Sequence, residues 1–169
     1  MKKLYTLFLL VVGFTLHSNA QNWMMQNIGY SVAAAYPSDI DAVDSNVVWT
    51  ATSSVGDGSG VGVQLWSRTI DGGANWTSGS FTADTNFRIS NISGVDSNTC
   101  YILTYNNTVG SGGYLFKTTD GGTTWDTVST GQVFLASPSF PNIVHFFDAA
   151  NGMLMGDPLG GYYEIYTTV

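Results

Sequence analysis

The feature that most constrains this chain is that it repeats itself. Thr69-Ile70-Asp71-Gly72-Gly73-Ala74-Asn75-Trp76 recurs as Thr118-Thr119-Asp120-Gly121-Gly122-Thr123-Thr124-Trp125, with the two aspartates 49 positions apart. We call these two segments boxes. A second landmark lies upstream of each: Val43-Asp44-Ser45-Asn46, then Val95-Asp96-Ser97-Asn98, then Phe147-Asp148-Ala149-Ala150-Asn151-Gly152. Asp44, Asp96 and Asp148 are spaced by 52 and 52. A glycine-rich segment sits between landmark and box: Val55 to Gly62, Val109 to Gly113, Gly156 to Gly161. One unit of about 50 residues thus begins three times, the signature of an architecture in which each repeat buries its apolar surface against its neighbours. Thr168-Val169 falls where Thr69-Ile70 and Thr118-Thr119 stand, so the pattern expects aspartate next. On this reading the chain is a truncated reading frame or a fragment.

The units read as β-structure. Val47 to Thr52, Cys100 to Tyr105 and Gly152 to Met155 are short apolar, aromatic or β-branched runs bounded by Asp, Asn, Ser and Gly. Val63 to Arg68, Tyr114 to Lys117 and Tyr162 to Thr168 supply partner strands, each joined through a glycine-rich tip. Pro37, Pro138, Pro141 and Pro158 are expected between strands, where a missing N–H removes no ladder bond. No helical period is sustained.

The first 20 residues have the order of a secretory leader: Lys2 and Lys3, an apolar Leu4 to Phe14 too short to span a bilayer, then Ser18-Asn19-Ala20. Cleavage after Ala20 and an exported protein, secreted or at the cell surface, are expected. Residues 21–169 then form the repeat domain, with Arg68, Arg88 and Lys117 as its basic residues against 12 acidic ones. The whole chain carries a formal charge of −7, which repels phosphate backbones and anionic lipid heads and argues against nucleic-acid and membrane-surface partners. No later apolar run is long enough for a membrane span.

The Thr-x-Asp-Gly-Gly-x-Thr-Trp pattern, complete at 118–125 and with Asn75 replacing one threonine at 69–76, resembles the Asp-box (BNR) repeat. That repeat occurs in sialidases, sortilin-type receptors, photosystem II assembly factor-like proteins and many exported bacterial β-propellers. The resemblance covers about residues 30–169. It implies an all-β fold of four-stranded antiparallel blades, here about two and part of a third. The box would join the third and fourth strands at the blade periphery, away from the central ligand face. It therefore implies structural roles for Thr69, Asp71, Gly72, Gly73, Trp76, Thr118, Asp120, Gly121, Gly122, Thr124 and Trp125. The chemistry fits: an aspartate accepts backbone N–H groups across a tight turn, paired glycines tolerate positive φ, and tryptophan caps the hairpin with an apolar plate.

Catalytic patterns are weak by comparison. Phe87-Arg88-Ile89-Ser90 faintly resembles the arginine motif of sialidases, but it follows the first box and ends in serine where that family has proline. Those enzymes grip a carboxylate with several guanidinium groups, and here only Arg68 and Arg88 are available. The bland alternative for Arg88 is a solvated strand residue. His145 is the single histidine beyond the leader and lacks a nucleophile-elbow partner. Cys100 reads as a small buried hydrophobe rather than a nucleophile. Gly56 to Gly60 lacks the following Lys-Ser/Thr of a phosphate cradle. Asp57 and Asp157 lack the alternating acidic pattern of a calcium loop. Neither a metal nor a cofactor is expected. Trp49, Trp66, Phe116 and Tyr166 read as inter-blade packing, with a carbohydrate platform as the alternative. Asn75, Asn91 and Asn106 begin Asn-x-Ser/Thr triplets and are expected at surface turns.

The expected function is a non-catalytic binding or scaffolding module for an unknown protein or carbohydrate ligand. A glycoside hydrolase of sialidase type is the alternative, and an assembly-factor-like propeller the third possibility.

Overall fold

A computed structural model of the chain describes residues 23–35, 37–55, 62–81, 86–129 and 131–168. The leader, and the Gly56 to Gly60 stretch with Asp57, lie outside the described residues. Helix is absent among the residues described, which form eleven strands. These are β1 (Asp39–Ala42), β2 (Val48–Ser54), β3 (Gly62–Thr69), β4 (Thr77–Ser80), β5 (Phe87–Gly94), β6 (Cys100–Asn106), β7 (Leu115–Thr118), β8 (Asp126–Thr127), β9 (Pro141–Phe146), β10 (Gly152–Leu159) and β11 (Tyr162–Thr167). They pair antiparallel in chain order as three meanders, β1 to β4, β5 to β8 and β9 to β11.

The sequence runs that read most clearly as strands are the second strands of each sheet. β2 and β6 are buried on both faces over most of their length, so they appear as continuous β-branched and apolar runs rather than alternating ones. The first strands, β1, β5 and β9, escape that reading because they carry polar residues at regular places. Those residues have a use. Asp39 Oδ2 accepts from the Ile92 N–H at 2.8 Å and from the Asn91 side chain, and Asp41 Oδ2 accepts from the Gly94 N–H at 2.8 Å. One sheet further on, Asn91 Oδ1 accepts from the Val144 N–H (2.8 Å) and Ser93 Oγ from the Phe146 N–H (3.0 Å). Asn91 and Ser93 stand 52 residues after Asp39 and Asp41. Backbone donors that an inner strand would otherwise leave unpaired are thus satisfied by side chains of the sheet before it.

Two apolar cores fill the spaces between sheets. Trp49, Ala51 and Trp66 of the first sheet face Ile92, Cys100 and Ile102 of the second, with Phe116 and Trp125 at the margin. Tyr101, Leu103 and Leu115 on the opposite face of the second sheet meet Val144, Phe146 and Leu154 of the third. The free face of the first sheet is different. Thr50 and Ser67 stand where the second sheet has Ile102 and Phe116, and residues 28–30 lie along it. Tyr30 Oη is 3.1 Å from Thr50 Oγ1, and the Ser67 and Ser78 hydroxyls donate to the Ile28 and Gly29 carbonyls. Chain entry therefore covers a polar sheet face, as a capping segment does in a repeat array.

Three expectations need correction. Pro141 opens β9 and Pro158 lies within β10, at a register shift between Met155 and Pro158. Both sites tolerate a missing donor, being a strand start and a bulge. The expected tip from Gly156 to Gly161 shrinks to Gly160-Gly161, whose φ values of 62° and 90° suit a two-residue hairpin between β10 and β11. Asn91 is not at a surface turn; it is half-buried in β5, tied to both neighbouring sheets.

Candidate functional site

The registers sort the described connections to two ends. Val48 pairs with Thr69 and Cys100 with Thr118, so the landmark turns and the boxes share one end of the sheets. The β6–β7 link lies at the other.

At the box end the polar groups bond to one another. Asp44 Oδ1 accepts from the Asn46 and Val47 N–H groups at 2.7 and 2.8 Å, Asp96 from Asn98 and Thr99 at 2.6 and 2.7 Å, and Asp148 from Ala150 and Asn151 at 2.7 Å each. Within each box the threonine hydroxyl donates to the aspartate and accepts from the second glycine: Thr69 to Asp71 and from Gly73 at 2.8 and 2.9 Å, Thr118 to Asp120 and from Gly122 at 2.9 Å each. The aspartate then accepts from the residue four places on, Asn75 at 2.8 Å and Thr124 at 2.9 Å, through the N–H, and again through the side chain. The Gly72 and Gly121 N–H groups dock each box onto its own landmark turn, at Asn46 O (3.0 Å) and Asn98 O (2.9 Å). Gly72, Gly73, Gly121 and Gly122 have φ of 70°, 91°, 75° and 93°, a region that disfavours side chains.

Charge follows geometry. The N–H and hydroxyl of Thr124 hold the Asp120 carboxyl down at about 2. Asp71 is lowered by the Asn75 side chain and N–H, Asp148 by Asn151 and the Ala150 N–H, and Asp44 by the Asn46 and Val47 N–H groups. Burial pushes Asp96 upward, but the Asn98 and Thr99 N–H groups bring it lower overall. These carboxylates are anchored anions whose acceptor capacity is turned inward, poorly suited to proton transfer.

The basic side chains are also engaged. Arg68 lies over the Trp49 ring at 5.2 Å and donates to Ser97 O in the next sheet, while Trp49 Nε1–H donates to Asp96 O at 2.9 Å. Lys117 lies over the Tyr101 ring at 5.1 Å, and both Lys117 Nζ and Tyr101 Oη donate to Ala149 O at 2.8 Å. Each cation and aromatic pair, opposite one another across adjacent strands, plugs into the following landmark turn. Arg88 is half-buried rather than solvated, with Nη1 donating to Ser53 O at 2.9 Å. The clamp is visible in sequence only as spacing: Trp49 and Tyr101 lie 52 residues apart and Arg68 and Lys117 lie 49 apart, the intervals of the landmarks and the boxes.

The remaining candidates separate. Trp49 and Trp66 are 0% and 4% exposed, within 5.8 Å of each other, which removes them from any carbohydrate platform. Cys100 is fully buried, and burial with Asp41 nearby pushes its thiol well up, so it is no nucleophile. His145 is exposed on β9 against Phe147. Asp157 Oδ1 accepts from Asn142 at 2.6 Å. No group of three or more His, Cys, Asp or Glu side chains suited to a metal occurs among the described residues. No helix long and apolar enough to cross a membrane occurs among the described residues.

At the opposite end, the β6–β7 link is braced by residues 131–135. Gly113 and Val133 exchange both backbone bonds (3.0 and 2.8 Å), and the Gly112 N–H donates to Phe134 O at 2.6 Å. This brace leaves Val109 and Leu135 63% and 67% exposed. Rigid loops presenting apolar side chains are suited to recognition.

No protein-family model matches the chain, and no curated protein matches it. Solved structures do. YCF48 bound to D1 peptide aligns with a TM-score of 0.51 and 20% identity, over 80% of this chain and 37% of that one. YCF48 from Cyanidioschyzon merolae aligns with a TM-score of 0.49 and 20% identity, over 83% of this chain and 36% of that one. This chain spans little more than a third of the length of either. The first of these likenesses, joined to three consecutive antiparallel meanders, shows the fold: the sheets are β-propeller blades, two of four strands and one of three.

Proposed function

We propose that the chain is a non-catalytic propeller module of the Asp-box kind, exported by way of residues 1–20, which binds or scaffolds a protein or glycan through the loop end opposite the boxes. One observation carries this reading: Arg68, Arg88 and Lys117 all donate to backbone carbonyls. A sialidase-type site needs guanidinium groups free to grip a carboxylate, and these side chains are holding blades together. The carboxylates at the box end are equally engaged. Among the described residues, the braced loop end exposes Val109 and Leu135 beside the polar Asn107 and Thr108, an apolar centre with a polar rim as in a binding patch. A second reading, a propeller that holds a client polypeptide as an assembly factor does, is supported by a peptide-bound example of the same fold.

The test is to probe glycan and peptide arrays with the full chain and with Val109→Asp, Leu135→Asp and, as a box-end control, Ile70→Asp, which is also exposed. The reading expects a ligand whose binding drops at least about tenfold with either loop-end variant and persists with Ile70→Asp. Turnover of a sialoside, or binding lost only through Ile70→Asp, defeats it.

A further inference from the structure

The sequence contains one Asn-Gly step, Asn151-Gly152, and the fold sets it in the third landmark turn. Asn151 holds the place of Val47 and Thr99, giving its N–H to Asp148 as they give theirs to Asp44 and Asp96. Gly152 opens β10 where Val48 and Cys100 open β2 and β6. Packing requires the glycine: a Cβ at 152 would lie 2.6 Å from the Phe146 ring, which stacks on Tyr101 at 3.4 Å.

An asparagine before glycine is open to attack on its Cγ by the following backbone nitrogen, because no Cβ screens that nitrogen. Asn151 is exposed, and the Gly152 N–H donates to a neutral hydroxyl, Thr168 Oγ1, at 3.1 Å. Asn46 and Asn98 are exposed in their own turns. There, however, the next nitrogens belong to the β-branched Val47 and Thr99 and are held by carboxylates at 2.8 and 2.7 Å. The Asp-Gly steps of the boxes are guarded in another way. Asp71 and Asp120 are kept ionised, which makes them poor electrophiles, and the Gly72 and Gly121 N–H groups donate to Asn46 O and Asn98 O.

We propose that Asn151 is a site of covalent modification, its amide converting through a succinimide to aspartate and isoaspartate, and that this conversion loosens the joint between the second and third blades. The Gly152 nitrogen bonds to Asn151 Cγ and releases its proton, the Cγ–Nδ2 bond breaks and ammonia leaves. Water then opens the ring at either carbonyl. Both products put a carboxylate where the amide donates to Asp148 Oδ1 and Oδ2 at 3.0 and 2.8 Å, so attraction becomes repulsion between like charges. Isoaspartate also routes the main chain through the side chain, which removes Asn151 O from the Phe147 N–H it accepts at 2.8 Å. The same turn offers Ala149 O to Lys117 Nζ and Tyr101 Oη of the second blade, so its disorder reaches the joint. The inference concerns the box end and stands whatever the loop end binds.

The experiment is incubation of the full chain in mildly alkaline buffer, with peptide mapping by mass spectrometry that separates aspartate from isoaspartate, beside a synthetic peptide copying residues 147–156. Asn151 should convert first and give both products while Asn46 and Asn98 remain amides. In urea unfolding, Asn151→Asp should lower the midpoint, and Asn107→Asp, an exposed control at the loop end, should not. The loss from Asn151→Asp should shrink when Lys117→Ala has already removed one clasp from the turn, as coupled sites require. Conversion of Asn46 or Asn98 as fast as Asn151, or an Asn151 still intact once the peptide has fully converted, overturns the modification. A midpoint no lower for Asn151→Asp than for Asn107→Asp, or equal losses with and without Lys117→Ala, overturns its link to the joint.

Discussion

Trp49 joins the first two blades, and its replacement tests how they are held. The side chain is fully buried, packs against Trp66 and Trp125, carries Arg68 over its face and donates to Asp96 O at 2.9 Å. Truncating a buried aromatic to alanine costs about 3–5 kcal/mol through lost transfer energy and the cavity left behind. Losing the indole donor adds about 1 kcal/mol. Trp49→Ala should therefore destabilise by about 4–6 kcal/mol, a large part of the ordinary stability of a domain. Trp49→Phe keeps most of the apolar volume but loses the hydrogen bond and one ring, and should cost about 2 kcal/mol. For a chain of this length that is about 4–8 °C in Tm. Urea unfolding followed by far-UV circular dichroism reads both, free of the change in fluorescence. Trp76, half-buried in the first box, supplies the comparison. If Trp49→Ala costs no more than Trp76→Ala, or Trp49→Phe costs nothing, the joint between blades does not rest where the contacts place it.

Acid should loosen the box end first. Asp120 titrates at about 2 when folded against 3.8 ordinarily, and Asp44, Asp71, Asp96 and Asp148 are lowered too. The unfolded chain then binds more protons, so their stabilisation is present above pH 3.8 and drains away as pH falls towards 2. Asp39, raised by burial, opposes this weakly. Asp120→Asn should flatten the pH dependence of the urea midpoint between these limits, and an unchanged slope refutes the assignment. Gly122→Ala should cost about 3 kcal/mol or more, because φ is +93° and a Cβ would lie 2.4 Å from Trp66 Cζ2, whereas Gly110→Ala, with φ +77° and open space, should cost about 1 kcal/mol in chemical denaturation. Cys100 should resist thiol reagents in the native protein and react at once in denaturant, and rapid native labelling would contradict its burial.

Much of this fold is written in spacing. The 52-residue interval of Asp44, Asp96 and Asp148 marks one turn in all three blades, and the 49-residue interval of the boxes marks a second turn in the first two. Such turns are local: an aspartate bonding N–H groups two to four residues away needs nothing from the rest of the chain. The middle strands were legible for a related reason, since burial on both faces demands uninterrupted apolar or β-branched residues. The inner strands were not. Asp39, Asp41, Asn91 and Ser93 look like loop residues until the neighbouring sheet brings the N–H groups they accept.

The same division explains the site. Sequence by itself determined the repeat, the box chemistry and the scarcity of cations, because each depends on residues within one turn or on composition. Only the tertiary structure decided what the cations do. Arg68, Arg88 and Lys117 reach carbonyls 29, 35 and 32 residues away. Contacts of that range leave no local pattern. They exist only once the blades are stacked, when desolvation favours the pairing of buried donors with acceptors of another blade.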